Sequence, residues 1–542
     1  MMPFLEAVFD MPSSPVAGTW HDRSDADYYC FESEFGCVRL RRRSAYPATF
    51  AAAYGSRLLF GYGDVGFGRS IAHQQLSQAN EELFYDAEFL FAEADAANQT
   101  VRVQRDALSV LPVFASVQAK RLVLSNCFDR VCELMDRSAL VVDGIALAEF
   151  LTSLPTYDRT LCSNVKLLYD RVRLLWSPKN RLLVPAPHAR RSNKTGMPRS
   201  DVHFVRVLLE GTLDTYYRRY ANGSPIACDL SGGMDSSLIV GYLRDRGHDP
   251  LTVSMLFPGA AGLSQGKKMQ ALQGRFALQN ISKPLEVERH YPLDIVTTEG
   301  RPFYHYQLSA YFGVKQEMYG ALAARRVPCV FNGYGGDELA DNVPNLSVAT
   351  EEDLAQAWQL RNDAAQPWLT PAFGAYFRTV AQKARTEPQR PIPLVAGSVA
   401  AGMAASHSAP FDTNVWPVSP LANPRLYQYC QGLPIRYRHN RNLIRMYLQA
   451  RRFPECIYNG TKELFSEHYT KSTLQHLEQP LRHYLERSVL AAHGLIDTKI
   501  LLDTFMAAKH SGRYTSTLDD FAFKAVTVLA AEINLQALGL QL

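Results

Sequence analysis

The 542-residue sequence contains no apolar run of 18 residues or more, which argues against a helical membrane span. Its nine cysteines form no C-x-x-C pair and no cysteine–histidine cluster at zinc spacing. That excludes the common zinc-site patterns and a disulfide framework, and reduced thiols in a cytoplasmic protein are expected. An excess of one charge is also missing: 57 Lys and Arg face 53 Asp and Glu, a net charge of +4. So small a surplus gives no reason to expect nucleic acid as a partner. The start, with Glu6 and Asp10 and no basic residue, does not read as a secretory signal. Internal repeats and low-complexity tracts are absent, so solenoids and disordered arrays are not expected. What is present is 47% apolar and 20% charged residues, the balance of a soluble globular chain. Its length predicts two or more domains.

The first part, to about residue 185, is rich in short β-type runs separated by turn residues, as in a layered β-rich domain. Examples are Arg57 to Tyr62, Glu88 to Ala92, Thr100 to Gln104 and Lys120 to Ser125. The stretch Pro185 to Ser200 carries three prolines, several basic residues and no apolar periodicity, and reads as a linker. From Val202 helix-like stretches alternate with apolar strands at Pro225 to Leu230, Leu251 to Phe257 and Cys329 to Asn332. That alternation predicts a mostly parallel sheet covered by helices, with ligands beyond the C-terminal strand ends. Beyond residue 350 the chain reads as largely helical.

The most informative segment runs from Cys228 to Ser237, CDLSGGMDSS. Ile226, Ala227, Cys228 and Leu230 supply a buried strand, and Cys228 reads as a small core residue rather than a nucleophile. Ser231, Gly232 and Gly233 allow the backbone to pass close to a ligand. Asp235, Ser236 and Ser237 open a helix, and a helix start presents free N–H groups to an anion. No Gly-Lys-Ser/Thr follows, so this is not the Walker loop. A second strand, Cys329 to Asn332, runs into Gly333-Tyr334-Gly335-Gly336-Asp337-Glu338. Asp235 and Asp337, at neighbouring strand ends, are therefore candidate ligands for Mg²⁺ held against triphosphate oxygens. Asp229 and Glu338 read as supporting residues. Lys462, near Gly460, could reach a pyrophosphate or a developing negative charge, but taken alone it reads as solvated surface. Arg441 and Arg445, on a helix expected over Asn440 to Ala450, read as solvated surface.

The first loop resembles the SGGxDS loop of ATP pyrophosphatases. Taken in order, the segments resemble the class B asparagine synthetase superfamily over nearly the whole chain. SGGMDSS at 231–237 and GYGGDE at 333–338 match its two ATP-site loops, and Lys462 its pyrophosphate-site lysine. Ser419-Pro420-Leu421 with Leu433-Pro434 resembles its later helical segment. More loosely, Val101 to Asp106, Pro112 to Phe114, Val123 to Asn126 and Leu167 to Leu175 resemble its N-terminal strands. The resemblance implies an α+β two-domain fold. Residues 1–185 would form an inactive glutaminase-like layered β-sandwich of the Ntn-hydrolase type. Residues 186–200 would be a linker, and 201–542 an α/β ATP-pyrophosphatase (adenine nucleotide α-hydrolase-like) synthetase domain. It implies ATP and Mg²⁺ as cofactors. Ser231, Gly232, Gly233, Asp235, Ser236, Ser237, Gly333, Gly335 and Gly336 would hold the nucleotide.

The departures from the family pattern narrow the reading. Glutamine-dependent members need a cysteine at the mature N-terminus, whereas this sequence starts Met1-Met2-Pro3 and its first cysteine is Cys30. The expectation is a scaffold domain, with the amine supplied by the substrate itself. β-Lactam synthetases and lasso-peptide cyclases work in that way, activating a carboxylate as an acyl-adenylate. Tyr334 stands where β-lactam synthetases carry a tyrosine that deprotonates the amine together with a glutamate. A phenol of pKa about 10 needs such help. No glutamate lies in Pro410 to Pro417, where Asp412 is the nearest carboxylate; Glu351 and Glu352 are further candidates. After the Leu251 to Phe257 strand, Gly262 to Lys268 lacks the family's acidic residues and reads as an altered substrate loop. The clusters His305-Tyr306-Gln307 and Glu317-Met318-Tyr319 read either as acceptor-pocket lining or as a helix with one apolar face.

The expected activity is an AMP- and pyrophosphate-forming lactam synthetase of natural-product or antibiotic biosynthesis, with Tyr334 and Lys462 as catalytic residues. Its substrate would be a small amino-acid-derived molecule or a peptide carrying both amine and carboxylate. A macrolactam cyclase, amidation with an external amine, a tRNA-modifying relative and a non-catalytic binding protein stay open, as does a homodimer.

Overall fold

The structure is a computed structural model. It describes residues 4–11, 19–45, 47–63, 88–106, 108, 110–118, 120–151, 159–168, 173–177, 181–184, 202–286, 288–293, 311–340, 366–386, 395, 397–460, 466–511, 515–540 and 542. The expected linker, Lys462, Glu351, Glu352 and His305 to Gln307 lie outside these residues.

The N-terminal strands form two antiparallel sheets. The first contains β1 (Leu5–Asp10), β2 (His21–Asp22), β3 (Tyr28–Ser33), β4 (Gly36–Arg41), β9 (Val113–Val117), β10 (Arg121–Ser125) and β11 (Val165–Leu168). The second contains β5 (Thr49–Tyr54), β6 (Arg57–Tyr62), β7 (Leu90–Asp95), β8 (Thr100–Arg105), β12 (Arg173–Trp176) and β13 (Arg181–Val184). Alternation along β1 explains the layering, because successive strand side chains point to opposite faces. Ala7 and Phe9 enter a core shared with Leu58, Phe60 and Ala92 of the second sheet. Phe9 and Phe60 stack at 6.4 Å, and Phe35 stacks on Trp176 at 5.9 Å. The predicted strand Arg57 to Tyr62 matches β6, whereas Glu88 to Ala92 is displaced to Leu90–Asp95.

The other face of the first sheet is covered by helices. Phe114 and Val123 pack with α1 (Phe128–Leu134) and α2 (Gly144–Leu151), and with helices from the far end of the chain. Among these is Ser516–Leu538, a helix long and apolar enough to cross a bilayer, with 83% of its apolar window buried inside the protein. Thr515 caps its start, accepting from Leu518 N at 3.2 Å, and Gly539 (φ 65) ends it. Its buried Glu532 accepts from Val489 N and Leu490 N at 3.0 Å, so the carboxylate satisfies amides at the start of a one-turn helix.

The remaining strands form one parallel sheet: β14 (Ala227–Asp229), β15 (Leu251–Leu256), β16 (Asn280–Pro284), β17 (Cys329–Phe331) and β18 (Trp416–Val418). Their order is β16-β15-β14-β17-β18. The chain therefore runs outward from β14 to one edge, then returns to its other side at β17. This places a topological switch point between β14 and β17, where sheets of this kind open a crevice beyond their strand ends. Around the sheet lie α3 (Val202–Ala221), α4 (Met234–Asp245), α5 (Gly259–Phe276), α6 (Phe312–Ala323), α7 (Gly336–Ala340), α9 (Gly397–Ser406), α10 (Ser408–Asp412), α11 (Pro424–Gln431) and α12 (Asn442–Ala450), while α8 (Pro371–Thr386) packs on α2 through Tyr376.

The altered loop expected over Gly262 to Lys268 is instead part of α5. Gln265 anchors this helix to the end of β15, donating to Met255 O at 2.9 Å and accepting from Phe257 N at 3.2 Å. Burial of Met269, Leu272 and Phe276 outweighs the low helix propensity of the glycines. The sandwich and the parallel sheet meet through Trp416, whose indole donates to Glu88 at 3.0 Å, and through Arg43, which donates to Pro328 O at 2.7 Å.

Candidate active site

Both glycine-rich loops lie at the switch point, one after β14 and one after β17. In the first, Gly232 adopts φ +77, a left-handed conformation that glycine enters without steric cost. A side chain there would also press on Lys268 Cβ at 3.3 Å. The serines hold the turn together. Ser231 Oγ lies 3.0 Å from Ser236 Oγ, Gly233 N donates to Ser231 Oγ at 3.2 Å, and Ser237 Oγ donates to Gly233 O at 2.7 Å. Gly233 is the N-cap of α4 and makes no side-chain cap, so the start of this 12-residue helix is left for an anion.

In the second loop the glycines allow close packing. Any side chain on Gly335 (φ +95) would meet Leu421 C and Ala422 N at 2.6 Å. The Ser419-Pro420-Leu421 segment is thus pressed against the loop. Asn332 ties the two, accepting from Ser419 Oγ at 2.7 Å and from Tyr334 N at 3.2 Å. Gly333 and Gly336 leave room for Asp235, since a Cβ on Gly333 would sit 2.8 Å from Asp235 Cβ. Three stretches far apart in sequence therefore form one wall.

Arg441 closes the constellation. Its guanidinium donates to Asp235 Oδ1 and pairs with Asp337 Oδ1 at 2.9 Å. The expectation of solvated surface fails for this residue: only 12% of its side chain is exposed. Asn440 (φ 52) and Arg441 (φ 58) adopt successive left-handed conformations just before α12. Such strain in non-glycine residues gathers at functional sites. Arg445 is likewise tied down, donating to Asn440 O at 2.9 Å and to Tyr458 O. Lys268 is a further cation that sequence reasoning passed over. It is 93% buried, its stem lies against Gly232, and its Nζ would be 3.2 Å from a Cβ on Gly460. Its only sequence signal was a lysine pair in a glycine-containing stretch.

The donor set fits a divalent cation. Asp235 and Asp337 come from different strand ends yet converge on one positive group. Among the described residues no third Asp, Glu, His or Cys joins them in a cluster. Mg²⁺ suits so open a set, because it takes one or two carboxylates and fills its octahedron with phosphate oxygens and water.

Tyr334 projects towards α9. Its hydroxyl donates to Ser406, and its ring meets His407 edge-on at 5.8 Å. Burial holds His407 neutral, its pKa pushed down to about 3. Asp412 is not hydrogen-bonded to Tyr334; it accepts from Gln316 at 3.1 Å, and burial raises its pKa to about 7. Asp229 sits beneath the first loop and accepts from Tyr319 at 3.2 Å; burial lifts its pKa to about 6. Met318 and Tyr319 are therefore on a buried helix face, while Glu317 accepts from Arg289 at 2.7 Å. Glu338 accepts from Ser398 at 2.7 Å, and its pKa is raised by burial.

No curated protein matches this sequence. Residues 209–410 match the family model described as asparagine synthase, a span that holds both glycine loops and both converging aspartates. The match supports the asparagine synthetase superfamily and, in general terms, ATP-dependent amide-bond ligation.

Proposed function

We propose that this protein is an ATP-dependent, AMP- and pyrophosphate-forming synthetase that adenylates a carboxylate and closes a lactam with an amine of the same substrate. The observation that carries the reading is the convergence of Asp235 and Asp337 beside the bare start of α4. Ser231 to Ser237 and Gly333 to Gly336 would bind the triphosphate through backbone N–H groups. Mg²⁺, held by Asp235 and Asp337, would neutralise phosphate charge. Lys462 would stabilise the charge that develops at the reacting centre. Keeping amine and carboxylate on one molecule removes much of the entropy cost of amide formation.

Two features favour an amine from the substrate over ammonia from glutamine. Burial raises the thiol pKa of Cys30 and Cys37, and that of Cys127 to about 12. A glutaminase nucleophile needs the opposite shift. Tyr334, fixed through Asn332 and Ser406, places a phenol beside the second loop where the amine proton must leave. Ser406, the hydroxyl's partner among the described residues, positions the phenol but supplies no base, so the carboxylate that would take the proton is not among the groups bonded to Tyr334.

The test is incubation with ATP and Mg²⁺ against two panels. One holds small amino acids with carboxylate and amine at β- to δ-spacing, the other linear peptides with an internal Asp or Glu. AMP release with loss of one water from a single substrate is the expected result. AMP release only with an added amine would replace lactam closure by intermolecular amidation. Absence of AMP with every substrate, together with absence of ATP binding, would remove the synthetase reading.

A further inference from the structure

The positive group that Asp235 and Asp337 share is Arg441. Its guanidinium donates to Asp235 Oδ1 with one nitrogen and pairs with Asp337 Oδ1 at 2.9 Å with another, so one planar fork spans both carboxylates. Two carboxylates gathered this closely repel each other, and the guanidinium removes that cost. The set is open on one side. The Asp337 side chain is 45% exposed, against 12% for Arg441 and 18% for Asp235. A small cation therefore reaches Asp337 from solvent without opening the core.

Of the three groups, the arginine is the one built to move. Asp235 is packed in: a Cβ on Gly333 would sit 2.8 Å from its Cβ, and one on Gly336 2.9 Å from it. Arg441 carries unfavourable terms instead. Its Nε is buried with no hydrogen-bond partner among the described residues, which costs free energy. Its backbone (φ 58) follows that of Asn440 (φ 52), two successive left-handed residues of which neither is glycine. It is also the N-cap of α12 and makes no side-chain cap there. One turn further on, Arg445 is tied to Asn440 O at 2.9 Å and to Tyr458 O, which anchors α12 independently of where the Arg441 side chain points.

We propose that Arg441 is a placeholder cation: it neutralises Asp235 and Asp337, keeps free divalent metal off them, and yields the carboxylates to the metal that arrives with the nucleotide. This role rests on the nucleotide reading given above. Free metal has to displace a cation already paired to both carboxylates, and the released guanidinium then has no acceptor other than water. With a nucleotide present, phosphate oxygens serve the metal as ligands and the guanidinium as acceptors, so the exchange becomes favourable. Arg441 thereby couples metal binding to nucleotide binding, and such a coupling acts equally in both directions.

Mn²⁺ binding to the full-length protein is measured by electron paramagnetic resonance, with and without an ATP analogue whose α,β-bridge is a methylene and resists cleavage. In wild type the analogue raises Mn²⁺ affinity by roughly tenfold or more. In Arg441→Met the affinity without analogue is higher, and the ratio between the two conditions shrinks roughly threefold or more. Arg441→Lys keeps a cation and holds the ratio within about twofold of wild type. A side chain that only staples the loops together would make the Lys and Met variants behave alike. Thermal melts of both variants confirm the fold. A wild-type ratio in Arg441→Met, or equal shifts in the two variants, overturns the placeholder role and leaves the nucleotide site standing. Failure of wild type to bind the analogue at all overturns the nucleotide reading and the coupling together.

Discussion

The two halves of the molecule treat their interiors in opposite ways. Between the sheets of the N-terminal sandwich the space is filled by rings, Phe9 on Phe60 and Phe35 on Trp176. At the strand ends of the parallel sheet the space is instead ringed by Asp235, Asp337, Arg441 and Lys268. Connection explains the contrast. Antiparallel strands joined by short turns pack face against face, and their alternating apolar residues close the gap. Parallel strands need crossovers, and where the chain reverses direction the loops diverge and leave a crevice. Ring packing therefore fills the gap between the sheets of the first region, and charged side chains gather at the strand ends of the second.

Substitutions can break or sharpen that division. The largest effect is expected for Phe35→Ala, which removes a fully buried ring from the sandwich. It should cost roughly 3–5 kcal/mol in urea unfolding yet leave turnover per folded molecule unchanged. A parallel fall in turnover would show that the sandwich takes part in the chemistry. Asp235→Asn should do the reverse, lowering AMP formation on the order of 10²–10³-fold with little change in melting temperature. Full activity in this variant would remove Asp235 from the reaction.

Glu88 tests the seam between the halves. Burial raises its pKa to about 7, above the ordinary carboxylate value near 4.3. The folded state therefore binds the proton more tightly, and stability is lost as pH rises from about 4 to 7. Glu88→Gln keeps an acceptor for Trp416 and removes this dependence. The variant should gain on wild type by up to about 1.4 kcal/mol per pH unit across that window. Equal slopes in pH-dependent unfolding would show that Glu88 does not titrate there. The smallest effect concerns Arg441→Met. With the guanidinium gone, two carboxylates face each other, and Mn²⁺ should bind the nucleotide-free protein roughly threefold to tenfold more tightly. Unchanged affinity by electron paramagnetic resonance would separate the carboxylates from the metal.

Much of the local structure was legible because it follows from short patterns. Arg57 to Tyr62 is a short β-type run bounded by turn residues and is a strand, and the helix beginning at Met234 starts where SGGMDSS places it. Helix α5 was missed because Gly262-Leu263-Ser264-Gln265-Gly266 carries little helical periodicity; tertiary burial of its later residues decides the outcome. Arg441 was missed for a different reason. Its sequence neighbours say only that it lies at a helix start, and its partner Asp235 is 206 residues away.

The sequence by itself determined the two glycine turns, the strands that feed them and the aspartates they carry, because glycine conformation and apolar runs act over a few residues. Only the tertiary structure decided which charges meet. It brought Arg441 onto both carboxylates, laid Lys268 between Gly232 and Gly460, turned Tyr334 towards Ser406 and packed the last long helix against the first sheet. Each of these depends on chain reversal and on burial shared between distant segments, which no local window of sequence contains.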